Sequence, residues 1–224
     1  MKVEYCDFPD DIYYDVRNDV WFRKSLDGKG GGGTAGITSI LSFLAGKLQK
    51  VTLRTELKEL ASGQMFATIE SKKYFGPVRS PLGGKIGAFN TQLASDPLIA
   101  SREPYESGWF VRYDSYSEED LAKLLRGKEA EIALRMRIKE LKVRCFAELP
   151  DDEMFSIGTE CSTTLANLNQ LLEKRPTGTV VHLVTDDPTS DIEMIRWSDQ
   201  TKNDVLESRK EDNLFHFVVK KKGR

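Results

Sequence analysis

The chain is poor in sulfur and in imidazole. Three cysteines, Cys6, Cys145 and Cys161, are spread over 224 residues, and His182 and His216 are the only histidines. An odd, widely spaced cysteine set argues against a disulfide framework or a CxxC zinc site, and it favours a reducing, cytoplasmic setting. Two histidines leave a histidine-based catalytic site hard to assemble. No stretch approaches membrane-spanning length, and the opening MKVEYCDFPDD has no apolar run, so neither a membrane span nor a signal peptide is expected. The formal charge is only −2, which supplies no basic field for nucleic acid or an anionic membrane.

What is present suits a packed protein. Hydrophobic residues make up 39% of the chain and charged residues 30%, enough for one large domain or two small ones. The first half is punctuated by glycine. The runs DVWFRK, GKLQKVTLR, GQMFATIES, GGKIGAF and GWFVRYD read as short strands between turn residues. DGKGGGGTAG, residues 27–36, reads as a mobile hairpin loop, because the spacing G-x-x-x-x-G-K-[ST] of a phosphate-binding loop is absent. TSILSFLAGKL carries helical spacing with Gly46 as its stop.

The character changes at Ser117. SEEDLAKLLRGKEAEIALRMRIKEL opens on a serine cap and an acidic first turn, and predicts one helix or two divided at Gly127. Beyond it, KVRCFAEL predicts a strand, STTLANLNQLLEK a helix, TVVHLVTDD a strand and TSDIEMIRWSDQT a helix. DVLESRKE and LFHFVVKKK predict the closing strands. This alternation predicts a small two-layer α/β sandwich and hence a second domain.

Two positions carry chemistry. ESKKYFGPVRSP, residues 70–81, sets Lys72 and Lys73 at the turn between two short strands. Adjacent lysines there either keep a hairpin tip solvated or offer a handle for an attached group. Cys161 opens the helix that runs to Lys174, where unpaired N–H groups and the helix dipole favour a thiolate, although a buried cysteine is an equally ordinary core residue.

Over residues 9–127 the order of motifs resembles the lipoyl-carrying H-protein family of the glycine cleavage system. FPDDIYYDVRNDVWFR stands for the family's opening, and Gly36, Ile37 and Thr38 for its Gly-Ile-Thr turn. The Glu-Ser-x-Lys lipoyl site falls on Glu70, Ser71, Lys72 and Lys73. Ser80, Pro81 and Gly84 match the returning strand, and DPL with EPYESGW the later segment, with Glu103 in place of the usual aspartate. The resemblance implies a lipoyl-type β barrel-sandwich hybrid with flanking helices and a covalent lipoate on Lys73. Lys72 adds charge, and Glu70 is either a contact for the attaching enzyme or a solvated edge residue. After the lysine, Tyr74-Phe75-Gly76-Pro77 resembles the lipoate-binding branch linked to heterodisulfide-reductase-like sulfur oxidation.

Residues 142–222 resemble the TusA-like sulfur carriers, whose Gly-x-x-Cys-Pro-x-Pro motif opens the first helix on a persulfide-carrying cysteine. Gly158 and Cys161 match, Gly178 falls at the turn glycine, and Asp186, Asp187 and Pro188 at the family's Asp-Asp-Pro. Ser162 and Thr164 replace the two prolines. Either is available as a helix cap, and Asp186 with Asp187 reads as a capped turn rather than a metal site.

The expected architecture is therefore α+β. An H-protein-like carrier domain spans 1–127, a helical linker 128–141, and a TusA-like domain 142–224. The implied function is a non-enzymatic carrier in sulfur trafficking, with lipoyl-Lys73 holding sulfur-bound intermediates and Cys161 exchanging sulfane sulfur. Lipoate-attaching enzymes and a heterodisulfide-reductase-like complex are the implied partners, with neither nucleic acid nor membrane. The alternatives are a glycine cleavage H-protein carrying aminomethyl between that system's enzymes, or a scaffold whose carrier sites are degenerate.

Overall fold

The computed structural model describes residues 1–25 and 32–223. The chain divides into two compact units, Met1–Cys145 and Phe146–Arg224. Unit 1 begins with β1 (Lys2–Val3), β2 (Cys6–Asp7), β3 (Tyr13–Asp15), β4 (Val20–Lys24) and β5 (Gly33–Ile37). Then come α1 (Ser39–Ala45), β6 (Lys50–Leu53), β7 (Glu59–Leu60), β8 (Met65–Glu70), β9 (Phe75–Arg79) and β10 (Gly84–Phe89). It closes with α2 (Gln92–Ser95), α3 (Leu98–Arg102), β11 (Val111–Tyr116), α4 (Glu118–Leu121) and α5 (Gly127–Leu141).

Two sheets make the body of this unit, a six-stranded one ordered β3-β4-β5-β11-β10-β7 and a three-stranded one ordered β6-β8-β9. They do not close into a barrel. One core joins them: Val20, Phe22, Ala35 and Ile37 of the larger sheet cluster with Val51, Phe66, Ile69 and Val78 of the smaller. Side chains alternate along a strand, so Trp21 points away from this core. It enters a second cluster with Tyr14, Ala130, Leu134 and Ile138. The helix expected as a linker is thus α5, whose spaced apolar residues cover the second face of the larger sheet inside unit 1. It is divided from α4, where Ser117 Oγ accepts the Asp120 N–H at 3.2 Å, and Gly127 opens α5 at φ +61°.

Three expectations change. Of the glycine-rich loop, residues 27–31 lie outside the described residues, while Gly33–Ile37 is strand β5, paired with both β4 and β11. KVRCFAEL forms no strand. Val143 and Cys145 are buried in the second core of unit 1, and Cys145 is bonded to Cys6, 139 residues away. The bond runs against the expectation that an odd, widely spaced cysteine set argues against disulfides. Spacing in sequence says nothing about a partner delivered by tertiary packing.

Unit 2 contains β12 (Asp152–Ser156), α6 (Cys161–Glu173), β13 (Val180–Thr185), α7 (Ser190–Thr201), β14 (Asp204–Glu211) and β15 (Leu214–Lys220). Its sheet runs β12-β13-β15-β14, with β12 parallel to β13 and the other pairs antiparallel. The parallel pair requires the crossover that α6 provides. Leu168 and Leu172 of α6 and Met194 and Trp197 of α7 pack on Val181, Leu183, Phe215, Phe217 and Val219. This is the two-layer α/β sandwich.

Candidate functional site

Lys73 lies on the turn between β8 and β9. The ladder ends at the pair Glu70–Phe75, and the Ser71 N–H donates to the Tyr74 carbonyl at 2.8 Å to close residues 71–74. The Ser71 hydroxyl organises this turn. It accepts the Lys73 N–H at 3.2 Å and the Tyr74 N–H at 3.1 Å, and donates to the Ala45 carbonyl at 2.6 Å. Serine is suited to such local bonding with backbone amides. Here the hydroxyl proton also fastens the hairpin tip to the end of α1.

The next residue along α1 completes the support. Gly46 stops the helix with φ +73°, its N–H donating to the Ser42 carbonyl at 2.8 Å. The exposed Lys73 side chain runs across it, because a Cβ on Gly46 would stand 3.0 Å from Lys73 Cε. The sequence marks Gly46 as a helix stop and gives no sign of this second role, which arises from a residue 27 positions later. Glu70 ends β8 with an exposed side chain, while its carbonyl accepts the Gln49 N–H at 2.8 Å.

The Tyr74–Pro77 tail is a packing unit. Tyr74 is half-buried against the first core, and burial raises its phenol pKa, with Asp19 adding to the effect. Its ring folds over Gly76, where any Cβ would run into the phenol end. Phe75 takes the opposite side and is 72% exposed. An exposed primary amine on a turn held by three side-chain hydrogen bonds fits an amide-linked arm. The lysine is exposed, and the backbone that bears it is tied down by Ser71.

Cys161 is the first residue of α6, as its place in the sequence indicates, yet the expected low pKa is overturned. The residue is 9% exposed, and burial pushes the thiol up, reinforced by the negative charges of Asp187 and Glu193. At the helix end the Cys161 N–H is itself donated to Asp187 Oδ2 at 2.8 Å, which brings that carboxylate up to the thiol's own residue. A full carboxylate charge outweighs the half-charge of a helix terminus. Neither Ser162 nor Thr164 caps the helix, which has no side-chain cap from its own N-terminal residue. Asp187 fills that role from the loop before α7. Its Oδ1 accepts from the Thr189 N–H at 2.8 Å and hydroxyl at 2.7 Å, contacts that hold its carboxyl below the usual range. Asp186 Oδ1 accepts the Gly158 N–H at 2.8 Å. The acidic pair is therefore a tie between two loops, and among the described residues no cluster of three or more His, Cys, Asp or Glu side chains is placed to hold a metal ion.

The two histidines, far apart in sequence, meet on the sheet face opposite the helices. His182 Nε2 lies 2.9 Å from His216 Nδ1, both rings are buried, and Phe146 packs 4.3 Å from His182 between centroids. Sequence reasoning missed this pair because residues 34 apart have no local signature. In unit 1, a cavity of about 600 Å³ is lined by Phe8, Pro9, Arg102, Pro104 and Tyr105 among others, and its lining does not include Lys73.

Comparison with known proteins separates the same two regions. The family model described as "Glycine cleavage H-protein" matches residues 12–137, and that described as "Sulfurtransferase TusA" matches residues 157–221. A protein named "Probable glycine cleavage system H protein 2" from Sulfolobus acidocaldarius is 31% identical over 142 residues, covering 62% of this chain and 93% of its own. "Glycine cleavage system H protein 2" of Aquifex aeolicus is 33% identical over 144 residues, covering 64% and 88%. A solved glycine cleavage system H protein from Mycobacterium marinum aligns at 23% identity and a TM-score of 0.47, over 61% of this chain and all of that one.

Proposed function

Because this chain belongs to the glycine cleavage H-protein family, as an H-like carrier domain followed by a TusA sulfur-carrier domain, we propose that Lys73 bears a covalent lipoyl arm and that its cargo is sulfur. Once bound, lipoate would supply a dithiolane that opens and closes by thiol–disulfide exchange. The chain's own part is mechanical and electrostatic. Ser71, Ala45 and Gly46 hold the root of the arm, and the outward lysine keeps it in solvent. Cys161 is the second sulfur centre. A sulfane sulfur passed to its thiolate forms a Cys161 persulfide and releases the donor as its thiolate. The buried, carboxylate-flanked thiol makes a partner that displaces the Asp186–Asp187 tie part of that step.

The observation that carries the reading is the fusion itself: one chain presents the Glu70-Ser71-Lys72-Lys73 tip and a match to a sulfurtransferase family. Tethering two sulfur centres raises the effective concentration of each near the other. Lipoate-attaching enzymes and an oxidising, heterodisulfide-reductase-like complex are the proposed partners, and the chain is a shuttle rather than a catalyst. No helix among the described residues is long and apolar enough to cross a membrane. We place the protein in the cytoplasm, where persistence of the Cys6–Cys145 bond would mark either a redox-responsive pair or an unusually oxidising interior.

A second reading is favoured by the names of the relatives, which are glycine cleavage H proteins: Lys73 then carries an aminomethyl group, and unit 2 is accessory. Two assays on the lipoylated chain divide the readings. Incubation with a polysulfide donor followed by peptide mapping should add the mass of a sulfur atom at Cys161, slowly in the chain alone and faster in Asp187→Asn, which loosens the tie. Supplying the chain to a glycine decarboxylase should give no carbon dioxide release. The reverse pair of results would replace sulfur by aminomethyl.

A further inference from the structure

We propose that the outer face of the three-stranded sheet is the docking surface for the enzyme that acylates Lys73, with Phe75 as its anchor; the inference rests on the carrier reading above. The register sets Lys50, Glu70 and Phe75 side by side across β6, β8 and β9, with Thr52, Thr68 and Pro77 in the next outward row. Burial alternates accordingly. Val51, Ile69, Gly76 and Val78 face inward, whereas Lys50, Thr52, Glu70, Phe75, Pro77 and Arg79 are exposed. The inward face is committed to the core, so an enzyme that receives Lys73 meets the outward one. Phe75 lies two residues from that lysine, and its ring is 72% exposed although Tyr74 beside it is packed.

Charge indicates the occupant. Along β6, β8, β9 and the turn between the last two, the basic residues Lys50, Lys72, Lys73 and Arg79 outnumber the one acidic residue, Glu70, in a chain whose net charge is −2. This locally positive face with an apolar centre complements an active-site mouth that has an apolar socket ringed by carboxylates. The acylation balances simply. The Lys73 ammonium gives its proton to a base, and Nζ forms an amide bond with the carbonyl carbon of a lipoyl adenylate made from lipoate and ATP. AMP leaves with the bonding pair, and no electrons are exchanged. The product amide is neutral, so the face loses one positive charge on modification and releases from an acidic partner more readily than the unmodified chain binds.

The test is the rate of lipoyl incorporation into the full chain by a lipoate ligase with lipoate and ATP, followed by intact mass as chain concentration varies. Phe75→Ala should raise KM about tenfold, the order of one aromatic anchor, with kcat within about twofold. Lys50→Glu should raise KM as well, and the wild-type KM should climb with salt. Ile132→Ala, an exposed apolar side chain on α5, should leave KM unchanged. Unaltered KM in both Phe75→Ala and Lys50→Glu overturns the docking surface, as does an effect confined to kcat. So does a wild-type dimer in solution that Phe75→Ala dissociates, since a second copy would then cover the face. Failure of the wild-type chain to take up lipoate at all would instead remove the carrier reading, and this inference with it.

Discussion

Replacing Ser71 by alanine tests the account of the lysine tip at its smallest part. One hydroxyl makes three hydrogen bonds, two accepted from the Lys73 and Tyr74 amides and one donated to Ala45. Net contributions near 1 kcal/mol apply to each buried bond. The two turn amides are open to water, so their loss is largely compensated, and the whole change is about 1–2 kcal/mol, felt locally. That corresponds to roughly a 5- to 30-fold change in a local opening equilibrium. Hydrogen exchange read by mass spectrometry should speed up by this factor in peptides covering 71–75, while the central strand Val180–Thr185 of unit 2 exchanges as before. The rate of lipoyl incorporation should fall, because the amine is presented from a moving turn. Unchanged exchange at Lys73 and Tyr74 would refute the claim that Ser71 holds the tip.

Gly46→Ala should destabilise unit 1 by about 1–3 kcal/mol, because φ +73° with ψ −154° is a backbone conformation essentially confined to glycine, and displace the Lys73 side chain besides. Gly46→Ala in a Lys73→Ala background, where no lysine side chain lies over the added Cβ, isolates the backbone share, and the difference in Tm change between the two backgrounds reads the lysine contact. The Cys161 thiol is raised in the fold by burial and then by Asp187 and Glu193, so less thiolate is present at a given pH. Asp187→Asn should shift its iodoacetamide rate–pH curve to lower pH, with Cys161→Ser as the blank. The same sign means that the stability contributed by the neutral thiol is complete below the unfolded pKa and is lost as pH rises through the folded one. Cys145→Ser should lower the stability of unit 1 by about 2–4 kcal/mol and abolish the response of its melting to reductant.

The elements that the sequence discloses are those with a strong local period. TSILSFLA stops at Gly46, STTLANLNQLLE carries a helical stripe, and LFHFVVK alternates around a buried sheet. The hairpin tip was legible for the same reason, since Ser71, Gly76 and Pro77 punctuate it. Where the outcome hung on distant residues, the local pattern misled. KVRCFAEL has the composition of a strand, but Cys6 and the second core of unit 1 claim Val143 and Cys145. The first strand of unit 2 is instead Asp152–Ser156, the edge strand beside β13, with Glu153 and Phe155 exposed on one face. At Cys161 the helix start was readable, and the burial and the Asp187 carboxylate, 26 residues on, were not. A dipole argument made from local sequence alone therefore carried the wrong sign.

The central claim is that Lys73 is a handle. Protein isolated from its native host should show the mass of a lipoyl group, mapped to the peptide that carries Lys73 and absent from Lys73→Arg. A chain of unmodified mass, from a host whose other lipoyl proteins are fully modified, would contradict the account.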